Sequence, residues 1–280
     1  MKMKNDIIET YKGCIIQHGK MNDRIYLMKI LETAENPVTD IINLADKKGY
    51  SKIIAKIPEL KKQKFLNNGF IEEAEIPSFY SDNSSASFMG FYIDKKRRVE
   101  DKIDVIEKNL SIAIEKGKDA KKSELDNKFT IRECTTSDTE EMAEIYRKVF
   151  PTYPFPIHKS EYLEETMKTH IDYYCVETDN VMVALSSSEK DIKELNVEMT
   201  DFATLPEWRG YGFGQALLSI MEKNMKEKDF KTSYTIARAM SAGMNIVFSR
   251  AGYEYGGRLI NNTNISGNIE SMNIWYKPLG

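Results

Sequence analysis

The chain reads as an α/β protein built on a mixed sheet, and three observations lead there. Short apolar strands recur between helical stripes along much of its length. A pair of strands separated by a turn-like Thr178-Asp179-Asn180 reads as a hairpin. A further strand then passes through a proline and glycines at 210, 212 and 214 directly into an amphipathic helix. At 280 residues the chain is about twice the commonest domain size, so two domains are expected. A 41% hydrophobic share with 30% charged residues excludes fibrous and disordered readings. A net charge of -3 supplies no global field to recruit nucleic acid or an anionic membrane, so neither is expected as a partner.

The N-terminal part, 1–98, begins MKMKNDIIETYK, with charges in every apolar stretch. No segment approaches the roughly 20 apolar residues of a membrane helix, so no targeting or anchoring is expected. Cys14, Cys134 and Cys175 are odd in number and far apart, which fits a reducing compartment, with the cytoplasm as the expected location. Together with His18, His158 and His170 they form no ligand spacing, so no metal site is expected. Asn36 as N-cap, Pro37 at the first helical position, Ile41, Leu44 and Ala45 inward and Gly49 as stop predict a helix. The strand SKIIAKI follows it.

Between 99 and 127, Val99, Ile103, Ile106, Leu110 and Ile114 form a helical stripe, followed by the linker-like run GKDAKKSELDNK at 117–128. This segment connects the N-terminal part to a second domain, 128–280. There, FTIREC (129–134) predicts a strand, and the Thr/Ser/Asp cluster after it caps a helix starting near Thr139. The Pro-rich loop FPTYPFP (150–156), a helix at 160–170 and the hairpin strands DYYCVE and VMVALSS come next. The strand at 196–205 leads into a helix whose Gly214, Leu217, Leu218, Met221 and Met225 share a face. SYTIARA, a helix at 242–250, GYEYGGRL and SMNIWYK complete the series.

The N-terminal part echoes this ending. IIAK, Phe65, Asn68-Gly69-Phe70 and Phe88-Met89 align with TIAR, Phe248, Ala251-Gly252-Tyr253 and Ser271-Met272. A diverged duplicate of one half-domain and chance similarity of two strand-helix-hairpin units both account for it. The N-terminal copy has no counterpart of RGYGFG, so a scaffolding or lid role is expected of it.

The stretch VEMTDFATLPEWRGYGFGQALL (197–218) carries the chemistry. Bare backbone N–H groups at the helix start, the helix dipole and the charge of Arg209 together make an anion site suited to a pyrophosphate. GK[ST] is absent and the alternating glycines do not fit GxGxxG, which argues against P-loop and dinucleotide sites. RGYGFG resembles the R/Q-x-x-G-x-G/A motif of the GCN5-related N-acetyltransferases (GNAT). The surrounding strand-Pro-loop-helix unit and FSRAGY, similar to lYxxxGF, extend the resemblance over 128–280. It implies a GNAT-type mixed sheet, an N-terminal α/β domain that is a candidate diverged GNAT half, and acetyl-CoA as cofactor. The phrases NDRIYLM, AEIPSFY, YPFPI, EMTDFATLPEWRG and ESMNIWYK further resemble the β-lysine N6-acetyltransferases along nearly the whole chain. That implies acetylation of the terminal amine of β-lysine, giving the osmolyte Nε-acetyl-β-lysine.

A lysine-type amine has a pKa near 10.4, so presenting it neutral at pH 7 costs about 4.6 kcal/mol unless a base takes the proton. Glu198, eleven residues before Arg209, matches the catalytic glutamate of histone-acetylating relatives. Asp201 is the alternative, because a bulge in the strand would reverse its facing. The N–H groups of Phe202, Ala203, Thr204 and Leu205 are expected to hold the pantetheine arm and polarise the thioester carbonyl. Arg209, Gly210, Tyr211, Gly212, Phe213 and Gly214 are expected to hold the diphosphate. Where the family's motif has an acidic tyrosine this chain has Phe248; Tyr253 and Tyr255 are the nearby substitutes.

A diamino acid needs a cation for its carboxylate and acidic or aromatic groups for its amine. Tyr153 and Phe155 lie in the loop that contacts the acceptor in the superfamily; Glu189, Asp201, Arg238 and Arg258 are further candidates. HGKMNDR (18–24) is polar enough to reach the site from the other domain, and equally fits a solvated turn. A small-molecule amine is the expected partner, with a homodimer among the open assemblies. The same chemistry on lysine, a polyamine or a protein lysine stays open, as does a decayed acyl-CoA-sensing module.

Overall fold

In the computed structural model, residues 6–119 and 125–280 are described. The N-terminal part contains β1 (Ile7–Tyr11), β2 (Cys14–Gly19), β3 (Arg24–Ile30), α1 (Pro37–Lys48), β4 (Lys52–Pro58), α2 (Lys62–Leu66), β5 (Ile71–Ile76) and β6 (Ala86–Tyr92). The helix α3 (Ile103–Gly117) leads to β7 (Thr130–Glu133), α4 (Thr139–Val149), α5 (Ser160–Met167), β8 (Ile171–Thr178), β9 (Val181–Asp191) and β10 (Asn196–Thr204). The chain closes with α6 (Phe213–Glu227), β11 (Thr232–Arg238), α7 (Ala242–Arg250), β12 (Glu254–Ile265) and β13 (Asn268–Pro278).

One 13-stranded sheet takes the order β1-β2-β3-β4-β6-β5-β12-β13-β11-β10-β9-β8-β7. Read outward from the β5–β12 seam, both sides repeat one pattern: an antiparallel pair, a further antiparallel neighbour, then a parallel pair, β3 with β4 on one side and β10 with β11 on the other. The repeat extends to detail. Gly69 and Gly252 have φ of 85° and 84°, and Phe70 and Tyr253 N–H groups donate to the Phe65 and Phe248 carbonyls at 3.2 and 3.1 Å. The Phe65–Phe70 and Phe248–Tyr253 rings meet edge-on, both with centroids 5.0 Å apart. Register irregularities fall at Glu72/Ala74 and at Tyr255/Gly257, and the seam pairs Gly257 with Ala74. Gly257, at φ 135°, is needed there because a Cβ would lie 2.4 Å from the Glu73 carbonyl.

Two features of the sequence fold differently from the expectation. The buried stripe of α3 is Ile106, Leu110 and Ala113, whereas Val99 and Ile114 are exposed, so the inward face is rotated toward the C-terminal core. Gly117 is the last helical residue, and a Cβ on it would lie 2.1 Å from Ser249 Oγ; its role is close approach to α7. The linker run at 117–128 falls partly on 120–124, outside the described residues.

Apolar faces place the layers. Phe213, Leu217, Met221 and Met225 of α6 pack with Phe248 and Trp275 on one face of the C-terminal sheet, while Tyr146, Leu163, Tyr173 and Leu185 form a core around α4 and α5. Tyr26, Ile54, Phe88, Tyr234, Leu259 and Ile274 form a cluster drawn from both parts of the chain. Within the sheet, β10 and β11 pair only from Asn196 to Glu198 and then separate. The opening they leave positions the site.

Candidate active site

The separation follows from a bulge. Thr200 pairs with Ser187 but Ala203 with Leu185, so β10 carries one extra residue, and Asp201 takes it up at φ 56°. Regular alternation would have put Asp201 on the face of Val197 and Met199. The bulge turns its carboxylate to the face of Glu198, where the hydroxyls of Tyr153 and Ser187 donate to it at 2.5 and 2.6 Å. Glu198 and Glu189 are directly opposed across β9 and β10. Three carboxylates therefore share one wall of a cavity of about 840 Å³, which is also lined by Tyr153, Phe155, Tyr234 and, from the N-terminal part, by Arg24, Tyr26 and Lys56.

Electrostatics tune that wall. Burial, with the neighbouring Glu189 carboxylate adding to it, pushes the Glu198 pKa well above the carboxylate range; Lys56, the Tyr234 hydroxyl and Asp201 modulate it. Burial and Asp201 likewise push Glu189 up, opposed by Lys56. Asp201 is raised by burial, against the hydrogen bonds from Ser187 and Tyr153. A carboxyl so raised is suited to accept a proton from an ammonium near neutral pH.

At the far end of β10 the chain turns through Pro206 into α6. Gly210 and Gly212 adopt φ of 90° and 80°, and Gly212 is the N-cap of α6 with no side-chain cap, so the first helical N–H groups are left for a guest. A Cβ at Gly210 would meet nothing within 4 Å, and Gly214 lies 3.4 Å, at its virtual Cβ, from Val247 of α7. Arg209, Gly210, Gly212, Phe213 and Gly214 line the same cavity as Glu198. Tyr211 does not; it is exposed and stacks on Phe213. The turn fits a diphosphate by this test: bare donors, positive φ at its glycines, and a cation beside them.

Of the N–H groups expected to hold the pantetheine arm, that of Leu205 already donates to the Val183 carbonyl. Ladder alternation turns Ala203 the same way, and the side chains of Ala203 and Leu205 are buried away from the cavity. Phe202 and Thr204 line the cavity and face the gap toward β11. The set of four thus reduces to these two, because only alternate residues of a strand face one neighbour.

Two more candidates change. Tyr253 does not line the cavity: it is buried, packs on Phe248, and its hydroxyl meets Ser233 Oγ at 2.5 Å. A residue following a left-handed glycine at a helix end folds back on that helix, and this removes Tyr253 from the chemistry. Arg238 lines the cavity, but Glu270 engages its Nε and Nη2 at 2.9 and 2.7 Å. Arg258 is paired with Glu100 and Glu107 and lies outside the cavity lining. The residues that motif reading passed over are Tyr26, Lys56, Thr200, Tyr234 and Gln17, all lining the cavity. Arg24 carried a signal as part of the polar run 18–24, and Tyr26 and Thr200 lie within the phrases NDRIYLM and EMTDFATLPEWRG, where nothing singles them out.

Residues 139–245 match the model of the acetyltransferase (GNAT) family. The chain is 41% identical over 263 residues to a β-lysine N6-acetyltransferase of Methanococcus maripaludis, covering 94% of this chain and 95% of that protein. It is 34% identical to a β-lysine N6-acetyltransferase of Methanosarcina mazei, covering 84% and 94% of the two chains. The N-acetyltransferase YodP of Bacillus subtilis is 33% identical, covering 95% and 96%. No helix among the described residues is long and apolar enough to cross a membrane.

Proposed function

From the premise that the chain belongs to the GNAT acetyltransferase family, and so is an acetyl-CoA-dependent N-acetyltransferase, we propose that it acetylates the terminal amine of β-lysine. The observation that carries this reading is the wall of Glu189, Glu198 and Asp201, which suits an acceptor bearing two ammonium groups. The names of the two methanogen relatives point to the same acceptor.

Acetyl-CoA supplies an activated acyl carbon. Arg209 and the N–H groups from Gly210 to Gly214 hold its diphosphate, and the N–H groups of Phe202 and Thr204 orient its arm. Glu198 takes the proton from the acceptor ammonium, so that the nitrogen meets the thioester with a free lone pair. Glu189 and Asp201 hold the second ammonium, and Tyr153 keeps Asp201 in place through its hydroxyl. Phe248 offers no proton where the family motif has a tyrosine, so the sulfur would leave as thiolate and the second proton, lost from the attacking nitrogen, would pass to solvent.

N6-acetylation removes one positive charge from β-lysine and yields a net-neutral zwitterion, a property suited to a compatible solute made in the cytoplasm. We divide the chain into an acceptor-side part, 1–98, a connecting segment, 99–127, and the transferase part, 128–280. Thiol release from acetyl-CoA with β-lysine, α-lysine and spermidine tests the acceptor. Preferred turnover of β-lysine supports it; faster turnover of another amine, or none on any, overturns it.

A further inference from the structure

Arg24 opens β3 and is 4% exposed, yet among the described residues no carboxylate pairs with it. Its Nη1 donates to the Asn262 carbonyl at 2.6 Å and to Thr263 Oγ1 at 3.2 Å. Nε has no partner, and Nη2 has only a 3.5 Å approach to Gln17 Oε1. The Nε–Nη2 edge, the one that grips a carboxylate through two parallel hydrogen bonds, is thus buried with its donors largely unused. A guanidinium buried with no carboxylate in pairing distance, and only the more distant Asp6 and Glu73 charges to favour it, is costly, and its unused donors suit an anion.

We propose that Arg24, contributed by the N-terminal half, binds the carboxylate of the acceptor and makes the enzyme select amino acids over carboxylate-free amines. This rests on the acceptor reading above. Arg24 lines the cavity beside Tyr26, whose ring lies 5.4 Å from its guanidinium carbon. Tyr26, Glu198 and Glu189 line that same cavity, so the cation and the acidic wall face one space. Such an arrangement complements a chain with a carboxylate at one end and ammonium groups further along. Burial lowers the Arg24 pKa to about 10, which leaves it charged at neutral pH. The other cavity arginines serve elsewhere. Glu270 closes Arg238, Arg209 precedes α6, and Arg250, whose Nε is likewise unpartnered, is one turn beyond Val247, the residue that approaches Gly214, and so belongs to the glycine-turn end of the cavity.

The test compares matched amines in steady state: β-lysine with pentane-1,4-diamine, and α-lysine with pentane-1,5-diamine, each pair differing by the carboxylate. Arg24→Gln should lower kcat/KM on the carboxylated member on the order of 30-fold, mainly through KM, and leave the other member nearly unchanged. Arg24→Lys should fall between. Equal losses on both members, or a wild type indifferent to the carboxylate in both pairs, overturn the proposal. A wild type that uses α-lysine and not β-lysine defeats the acceptor reading alone, because the ratio is still measured on the lysine pair. If Arg24→Gln does not fold, wild-type inhibition decides: 3-aminobutanoate should compete with the acceptor and propan-2-amine should not. Equal or absent inhibition overturns the proposal.

Discussion

At the scale of single residues the site is governed by what surrounds Glu198. It faces Glu189 on β9, Asp201 beyond the bulge, Lys56 on β4 and Tyr234 on β11. A base with a raised pKa gives an acidic limb of kcat/KM above the ordinary carboxylate range. Glu198→Gln should lower the rate at neutral pH by about 10²- to 10⁴-fold, with residual activity only at higher pH; an unchanged pH profile removes Glu198 as the base. Lys56 holds both glutamates down, so Lys56→Met should move the acidic limb to higher pH. Stability has the opposite sense. A carboxyl whose folded pKa is raised contributes stability below its unfolded pKa, near 4.5, and loses it as pH rises through the folded value. Wild-type melting temperature should therefore fall between pH 5 and 8, and Glu198→Gln should flatten that fall and be the more stable form at pH 8, by about 1–3 kcal/mol. Melting curves at the two pH values check it. That Glu198 lines the cavity was legible in the sequence through its place eleven residues before Arg209, which matches the glutamate of the family resemblance. Tyr253 misled because its packing on Phe248 depends on a helix end that spacing alone does not orient.

At the scale of elements, the glycine turn and the β10 bulge divide the work. The turn was readable because it uses only backbone, and glycines at 210, 212 and 214 announce a backbone that must be bare. The bulge was readable only as an alternative for Asp201. Residues 197–200 alternate apolar and polar and Asp201-Phe202 breaks the pattern, but a break alone does not distinguish a bulge from a buried carboxylate, and the extra residue is fixed by the register of β9. Arg209→Ala should weaken acetyl-CoA binding about 10-fold with little change in kcat. Gly212→Ala should weaken it too and cost about 1–2 kcal/mol of stability, because a Cβ is disfavoured at φ 80°. Isothermal titration with the cofactor, paired with thermal melts, separates the two; an unchanged Kd in both variants places the diphosphate elsewhere.

At the scale of the whole molecule, an irregular stretch of β12 adds a polar contact between the two halves to the β5–β12 seam and the shared apolar cluster. Between Leu259 and Thr263 the strand leaves the register of β13, and three consecutive carbonyls turn to basic residues of the N-terminal half: Ile260 to Lys52, Asn261 to Arg97 and Asn262 to Arg24. Strands β1 to β3 pair as successive hairpins and still escaped the sequence reading, because β1 is an exposed edge strand and charged residues interrupt the apolar pattern there, while the helix after Asn36 carried its own signals. Lys52 has a buried partner as well: its Nζ lies 2.8 Å from Glu73, with both side chains almost wholly inaccessible, and the Tyr92 hydroxyl donates to the same carboxylate. Desolvation outweighs that pairing and pulls the Lys52 pKa down to about 8. Such a pair adds little net stability over apolar packing, but removing one member strands the other charge. Lys52→Met should therefore cost about 3–5 kcal/mol, and the double variant Lys52→Met/Glu73→Leu should recover most of it. Urea unfolding of the two variants measures this. A single variant as stable as wild type would mean that water reaches the Glu73 carboxylate at the seam, and the docking of the halves would then rest on the two carbonyl contacts that survive it, Asn261 to Arg97 and Asn262 to Arg24, and on the apolar cluster rather than on a sealed ion pair.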